Sequence, residues 1–369
     1  MEHLVHSVHH GRRPSLPTMT PGERFRAACQ RRPVDRPPVW LMRQAGRYMP
    51  EYRALRERHS LLEICRTPRL AAEATVTAAE RLGVDAAIIF ADLLLPAAPL
   101  GLSLEFSSGE GPVLAPPLRS ADAIARLPEG WGGALDYVSE AIRLVRRHFG
   151  ENDAALPVIG FAGAPFTLAS YLVEGGGSRH FLHTKRLMYE QPQAWDELMR
   201  KLVTGLTGFL AAQADAGAAA LQLFDSWAGT LGESDYRRFV LPHNQRLVAA
   251  TRQFGIPVIY FSLGTGAYLE AVAATGAPVL SLDWRIELSA AWERLGPDAP
   301  VLQGNLDPAV LLAGGAALHK ETRRLLRQAR GRLGYIFNLG HGILPETPVE
   351  NVLELVQLVA ADARPGCPH

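Results

Sequence analysis

Cysteine is scarce: Cys29, Cys65 and Cys367 are the three in 369 residues, far apart and outside any CxxC or Cys/His cluster. That speaks against a disulfide framework or a zinc site and fits reduced thiols in a cytoplasmic protein. A surplus of charge is missing too. With 38 basic and 37 acidic side chains the net charge is +1, so no global field selects nucleic acid or an anionic membrane. An anionic ligand must be held by individually placed arginines. No apolar run approaches the roughly 20 residues that span a bilayer, and the stretch from Ala86 to Leu95 is broken by Asp92. The first 18 residues carry four histidines and two arginines without the apolar core of a secretory signal. They read as a disordered extension, or as a start placed upstream of Met19. There is no GxGxxG after a strand and no GxxxxGK[ST], so dinucleotide and P-loop readings fail.

What is present is ordinary globular material, 47% hydrophobic, arranged as short apolar runs between longer helix-period segments. Eight runs stand out: Val39 to Met42, Asp85 to Phe90, Pro157 to Ala162, Ala220 to Phe224, Pro257 to Ser262, Pro278 to Asp283, Val301 to Asn305 and Tyr335 to Leu339. Most lack polar alternation, the pattern of parallel strands buried on both faces. Helix punctuation separates them: Thr67-Pro68 opening and Gly83 closing one helix, Ser234 to Gly255, Gly266 to Gly276, Glu287 to Gly296, Asp307-Pro308, and a capping box at Thr347-Pro348-Val349-Glu350. The pattern predicts an α/β fold, a single (β/α)8 TIM barrel over residues 19–369, with a small hairpin (Leu104 to Leu114) inserted after the second strand.

In such a barrel the loops after the strands build the active site. Arg43, Gln44, Gly46, Arg47 and Tyr48 follow strand one, and Asp92 follows strand two. Tyr171 lies one turn into the helix after strand three. Asp225 and Ser226, Asp283-Trp284-Arg285, Asn305 and His341 end later strands. No lysine stands at a strand end, which argues against Schiff-base chemistry. His180 and His183 lack a nearby third ligand, so the metal expectation is none. Each candidate also has a plain structural role open to it: ion pairs of the arginines with Glu51 or Glu57, turn capping by Asp92, core packing by Tyr171, N-capping by Ser226. His341, between two glycines that permit close backbone approach to a ligand, is harder to dismiss.

The segment Pro38 to Tyr52, with Arg43-Gln44-Ala45-Gly46-Arg47 at its centre, closely resembles the N-terminal signature of uroporphyrinogen decarboxylases. Gly160 to Tyr171, Gln222 to Gly229 and Phe337 to Pro345 resemble further blocks of that family in its bacterial form, and the similarity runs from about Pro21 to Ala361. The resemblance implies a homodimeric barrel enzyme of haem biosynthesis that takes uroporphyrinogen III to coproporphyrinogen III and CO2 without a cofactor. It implies substrate contacts from Arg43, Gln44, Ala45, Gly46 and Arg47, and from Asp92, Tyr171, Ser226 and His341. The catalytic set would be Asp92, Arg43, Arg47 and Tyr171. The substrate is expected to act as its own electron sink: protonating the acetate-bearing pyrrole carbon gives a cation that accepts electrons as CO2 leaves, where other decarboxylases recruit PLP or TPP. Asp92 is the natural counter-anion, and the arginines are bidentate carboxylate partners. The rivals are a zinc methyltransferase of the same barrel superfamily and a non-catalytic tetrapyrrole-binding protein.

Overall fold

The computed structural model describes residues 17–107 and 111–362. The expected N-terminal extension up to residue 16, the hairpin tip at 108–110 and the tail holding Cys367 lie outside the described residues.

Seven parallel strands form one sheet in the order β1-β4-β5-β6-β7-β8-β9: β1 (Ala87–Ile88), β4 (Val158–Gly163), β5 (Ala220–Asp225), β6 (Val258–Ser262), β7 (Val279–Ser281), β8 (Val301–Leu306) and β9 (Tyr335–Leu339). Helices connect successive strands, as parallel pairing demands. β4, β6, β8 and β9 are buried along their whole lengths, which is why their sequences show no polar alternation. The remaining two strands, β2 (Ser103–Ser107) and β3 (Gly111–Ala115), pair antiparallel between β1 and β4.

The run Val39 to Met42 is not a full strand. It makes a single parallel bridge, Val39 to Phe337. The Phe337 N–H donates to Pro38 O at 2.8 Å, and the Asp85 N–H donates to Val39 O at 2.7 Å. The segment therefore touches β9 on one side and the lead-in to β1 on the other. Pro37 and Pro38 have no N–H to lend a ladder, and the Met42 N–H is taken by the Asn338 side chain at 3.1 Å, so the pairing stops after one step.

Three helix readings also change. The stretch from Ser234 to Gly255 divides into Glu233–Phe239 and Leu241–Thr251, with Pro242 opening the second helix. The capping box at Thr347 is absent: Pro348 occupies the cap of Val349–Ala360, and the Thr347 hydroxyl is buried without a partner. Thr67 does not cap with its side chain, although Pro68 opens that helix and Gly83 closes it at φ +65°.

The sheet interior is partly polar, and its groups satisfy one another. The Trp40 indole N–H donates to Gln303 Oε1 (2.9 Å), and Gln303 Nε2 donates to Ser281 Oγ (2.9 Å) and Gln222 Oε1 (3.2 Å). The helix Pro21–Cys29, started by a Thr20–Glu23 capping box, lies against the N-terminal ends of the strands. From it Arg24 reaches Asp35 and Asp85 (both 2.7 Å), while Arg36 reaches Asp85 (2.6 Å).

Candidate active site

The turn after the Val39 segment is held at several points. The Gln44 N–H donates to Leu41 O (3.0 Å), the Tyr48 hydroxyl donates to Gln44 O (2.6 Å), and Ile343 N–H donates to Met42 O (3.0 Å). With its neighbours so fixed, Arg43 sits at φ +60°, a left-handed conformation that costs a non-glycine residue of order 1 kcal/mol. The five residues of the turn divide. Arg43 and Arg47 are exposed, Ala45 and Gly46 are half-buried, and Gln44 is enclosed, its Nε2 without a partner. The structural ion pairs considered for the arginines do not form: among the described residues no carboxylate pairs with Arg43 or Arg47, and Glu51 faces Arg81 instead, at 3.7 Å.

Asp92 lies just past β1. Its Oδ1 accepts the Leu94 N–H at 2.8 Å, so it does cap the following turn, and it keeps part of its surface open. Burial raises its pKa above the ordinary carboxylate value, opposed by that N–H and by the nearby Arg43 charge. Behind it stand Tyr52, whose ring is 5.2 Å from that of Phe90, and the buried thiol of Cys65, which burial and the Asp92 charge keep protonated. Cys65 comes close to this strand end through the helix Leu61–Arg66.

Tyr171, on the helix Pro165–Glu174, is half-buried, with its ring 5.7 Å edge-on to Trp227. Burial and the Asp92 charge raise its pKa, so the hydroxyl stays a donor. Ser226 is half-buried in the turn after β5; it does not cap the helix Glu233–Phe239, whose cap is Gly232. Beneath that turn Asp225 is fully buried and accepts from Tyr260 (2.6 Å), Thr167 (2.9 Å) and Asn244 (3.2 Å). Thr167 also accepts the Trp227 N–H at 3.4 Å. One buried carboxylate thus ties the turn bearing Ser226 to the helix bearing Tyr171.

His341, past β9, is half-buried between the rings of Phe261 (6.1 Å) and Trp284 (6.5 Å). Burial, then the charges of Arg43 and Arg285, lower its pKa to about 4, so at neutral pH it offers a neutral imidazole. Arg285 lies 4.0 Å over the Trp284 ring and pairs with Asp283 at 2.9 Å. The flanking glycines serve packing: a Cβ on Gly340 would strike Trp284, and one on Gly342 would strike Arg43.

The structure therefore gathers Arg43, Asp92, Tyr171 and His341 around the C-terminal ends of the strands, with the Arg43 charge acting on the other three. Arg47 lies to the Tyr52 side, where its charge is felt by that phenol. Aromatic rings pack on one another from strand to strand. Phe161 meets Phe224 at 5.6 Å and Phe224 meets Phe261 at 6.0 Å, while Phe181 packs on Trp227 at 5.1 Å. Phe161 and Phe261 are buried in the core, as their strand runs read, and Phe224 between them is half-buried. His180 and His183 are exposed, and among the described residues no three His, Cys, Asp or Glu side chains converge as a metal would require.

Residues 20–361 match the family described as uroporphyrinogen decarboxylase (URO-D). A uroporphyrinogen decarboxylase of Koribacter versatilis is 54% identical over 340 residues, covering 92% of this chain and 96% of that protein. One from Sorangium cellulosum is 52% identical over 341 residues, covering 91% and 95%. Among solved structures, a methyltransferase from Methanosarcina mazei superposes with a TM-score of 0.75 at 21% identity, covering 93% of this chain and 98% of that one. A B12-independent methionine synthase from Shewanella sp. W3-18-1 gives 0.52 at 10% identity, covering 79% and 87%. At those identities the structural matches speak for a barrel-like α/β fold alone. Half the residues are shared with the decarboxylases over nine-tenths of the length, and the chain belongs to the uroporphyrinogen decarboxylase family.

Proposed function

We propose that this chain decarboxylates the four acetate side chains of uroporphyrinogen III to give coproporphyrinogen III, with the pyrrole ring as its own electron sink. The observation that carries the reading is the pair of unpaired arginines, Arg43 and Arg47, at the mouth that also holds the partly desolvated Asp92. Each pyrrole in turn is protonated on the ring carbon next to the one bearing its acetate, because the acetate-bearing carbon, once protonated, would be saturated and could not take up the electrons. The ring cation then draws the C–C bonding electrons into an exocyclic C=C as CO2 departs. A proton added to that methylene completes the methyl group, and the ring carbon gives up the first proton to restore the pyrrole, so that one proton is consumed for each CO2 released. Asp92, as carboxylate, faces the pyrrole N–H groups and gains attraction as the ring becomes cationic, a stabilisation greatest in the transition state. Arg43 and Arg47 clamp substrate carboxylates. Tyr171 and neutral His341 hydrogen-bond propionates or the reacting acetate, with Ser226 beside Tyr171, and the main chain of Gln44, Ala45 and Gly46 lines the turn. No metal or organic cofactor enters this scheme.

The Val39 segment serves as an eighth staves-position, joining β9 to β1 and closing a (β/α)8 barrel of one domain, with β2–β3 as an inserted hairpin. The hydrogen bonds on both sides of Val39 support it. A cytoplasmic homodimer completes the proposal, and light scattering checks the dimer.

Anaerobic incubation with uroporphyrinogen and no added cofactor, then oxidation and chromatography by carboxyl number, tests the activity: stepwise conversion to coproporphyrin is expected. Activity lost on exhaustive chelation would overturn the cofactor-free scheme, and stoichiometric binding without CO2 release would favour a binding protein.

A further inference from the structure

The two glycines beside His341 face different neighbours. An added methyl on Gly340 would meet the main-chain N of Trp284, with Trp284 Cβ at 2.9 Å. That main chain is held, since Asn305 Nδ2 donates to both Asp283 O and Ile286 O at 2.7 Å. On Gly342 the three atoms the methyl would meet first all belong to the Arg43 side chain: Cδ most closely, Cγ at 2.7 Å and Nε at 2.9 Å. Gly342 is not among the residues at positive φ, so alanine suits its backbone.

The Arg43 main chain has little room to retreat. Met42 is fastened through its N–H to Asn338 Oδ1 (3.1 Å) and through its C=O to the Ile343 N–H (3.0 Å). Asn338 is fully buried. The same short segment that carries Gly342 thus pins the residue before Arg43. What can move is the arginine stem, whose guanidinium no carboxylate of the described residues restrains.

We infer that Gly342 is a positioning residue for decarboxylation: its missing Cβ is the slot along which the Arg43 stem lies, and the slot aims the guanidinium into the cleft beside Asp92 and His341. The inference rests on the reading of Arg43 as a carboxylate clamp. A side chain here would leave the barrel intact and turn the arginine aside.

The test is a double-mutant cycle with Gly342→Ala, Arg43→Ala and both together, read by steady-state kinetics on uroporphyrinogen and by thermal melting. Gly342→Ala is expected to lower kcat/KM by about tenfold or more, since a small misplacement of an orienting group is costly, with Tm nearly unchanged. In the Arg43→Ala background the same substitution should change kcat/KM less than about threefold. Equal losses in both backgrounds, or full activity of Gly342→Ala, overturn the inference. If Gly342→Ala alone fails to fold, recovery of folding in the double variant supports the contact, and failure of both variants overturns it. Wild-type kinetics in Arg43→Ala would instead sink the clamp reading on which the inference stands.

Discussion

Arginines crowd both ends of this sheet, and their surroundings could hardly differ more. At the N-terminal ends of the strands, Arg24 is 4% exposed and Asp85 2%, and Arg36 and Val39 N–H complete the ring of donors around Asp85. Arg24, Arg36, Asp35 and Asp85 are all paired, and the network ties the first helix to the sheet. At the C-terminal ends Arg43 and Arg47 stand exposed with no carboxylate partner among the described residues, and Arg43 lies near Asp92, a carboxylate that burial has made harder to ionise. Paired charges hold a structure; charges left unpaired at a concave mouth await an anion. One residue type thus does structural work at one end and recognition at the other, and the difference lies in whether a carboxylate was supplied with it.

The largest effect is expected from Asp92→Asn. It should lower kcat/KM by about a hundredfold or more while the melting temperature at neutral pH stays level or rises. The sign follows from the raised pKa: this carboxyl favours the fold while protonated, and that contribution is lost as pH rises through the folded value. For the same reason the acid limb of the wild-type pH profile should fall above the ordinary carboxylate range. Near-normal turnover by the variant removes Asp92 from the mechanism.

Asp85→Ala should do the reverse, costing about 3–5 kcal/mol of unfolding free energy by stranding buried arginines, with kcat of the folded fraction nearly unchanged. Denaturant melts alongside kinetics would show it; an unchanged midpoint would erase the contrast between the two ends. Arg47→Lys keeps the charge but loses the planar fork, and about tenfold lower kcat/KM is expected. A smaller loss argues against a bidentate contact.

The smallest effect concerns His341. Its pKa, lowered from 6.5 to about 4, contributes stability above the unfolded value, and that stability is lost as pH falls from 6.5 toward 4. Melting temperatures of wild type and His341→Asn should therefore converge or cross over that window. Parallel curves would mean that the imidazole is not desolvated.

Much of this was legible in the chain itself. Alternating apolar runs and capped helices carry the parallel α/β order, because burial on both strand faces leaves a readable pattern. The run Pro38 to Tyr52 identified the family, and Asp92, Tyr171 and His341 could be ranked by their place after strands. The Val39 run read as an ordinary strand because local pattern does not reveal that Asn338 would claim the Met42 N–H. Phe161 and Phe261 read as core and are core; that Phe224 between them stays half-buried was not readable, because facing is set by the curvature of the sheet.

Sequence alone determined the order of the elements, the family and the groups available for chemistry, since these depend on residue type and near neighbours. Which arginines would be paired was a tertiary matter. Arg24 finds Asp85 across 61 residues, and Met42 is pinned by Asn338 across 296. No local signal separates Arg24 from Arg43. Only closure of distant strand ends decides which guanidinium meets a carboxylate, which lies in the slot at Gly342, and which is left facing the cleft.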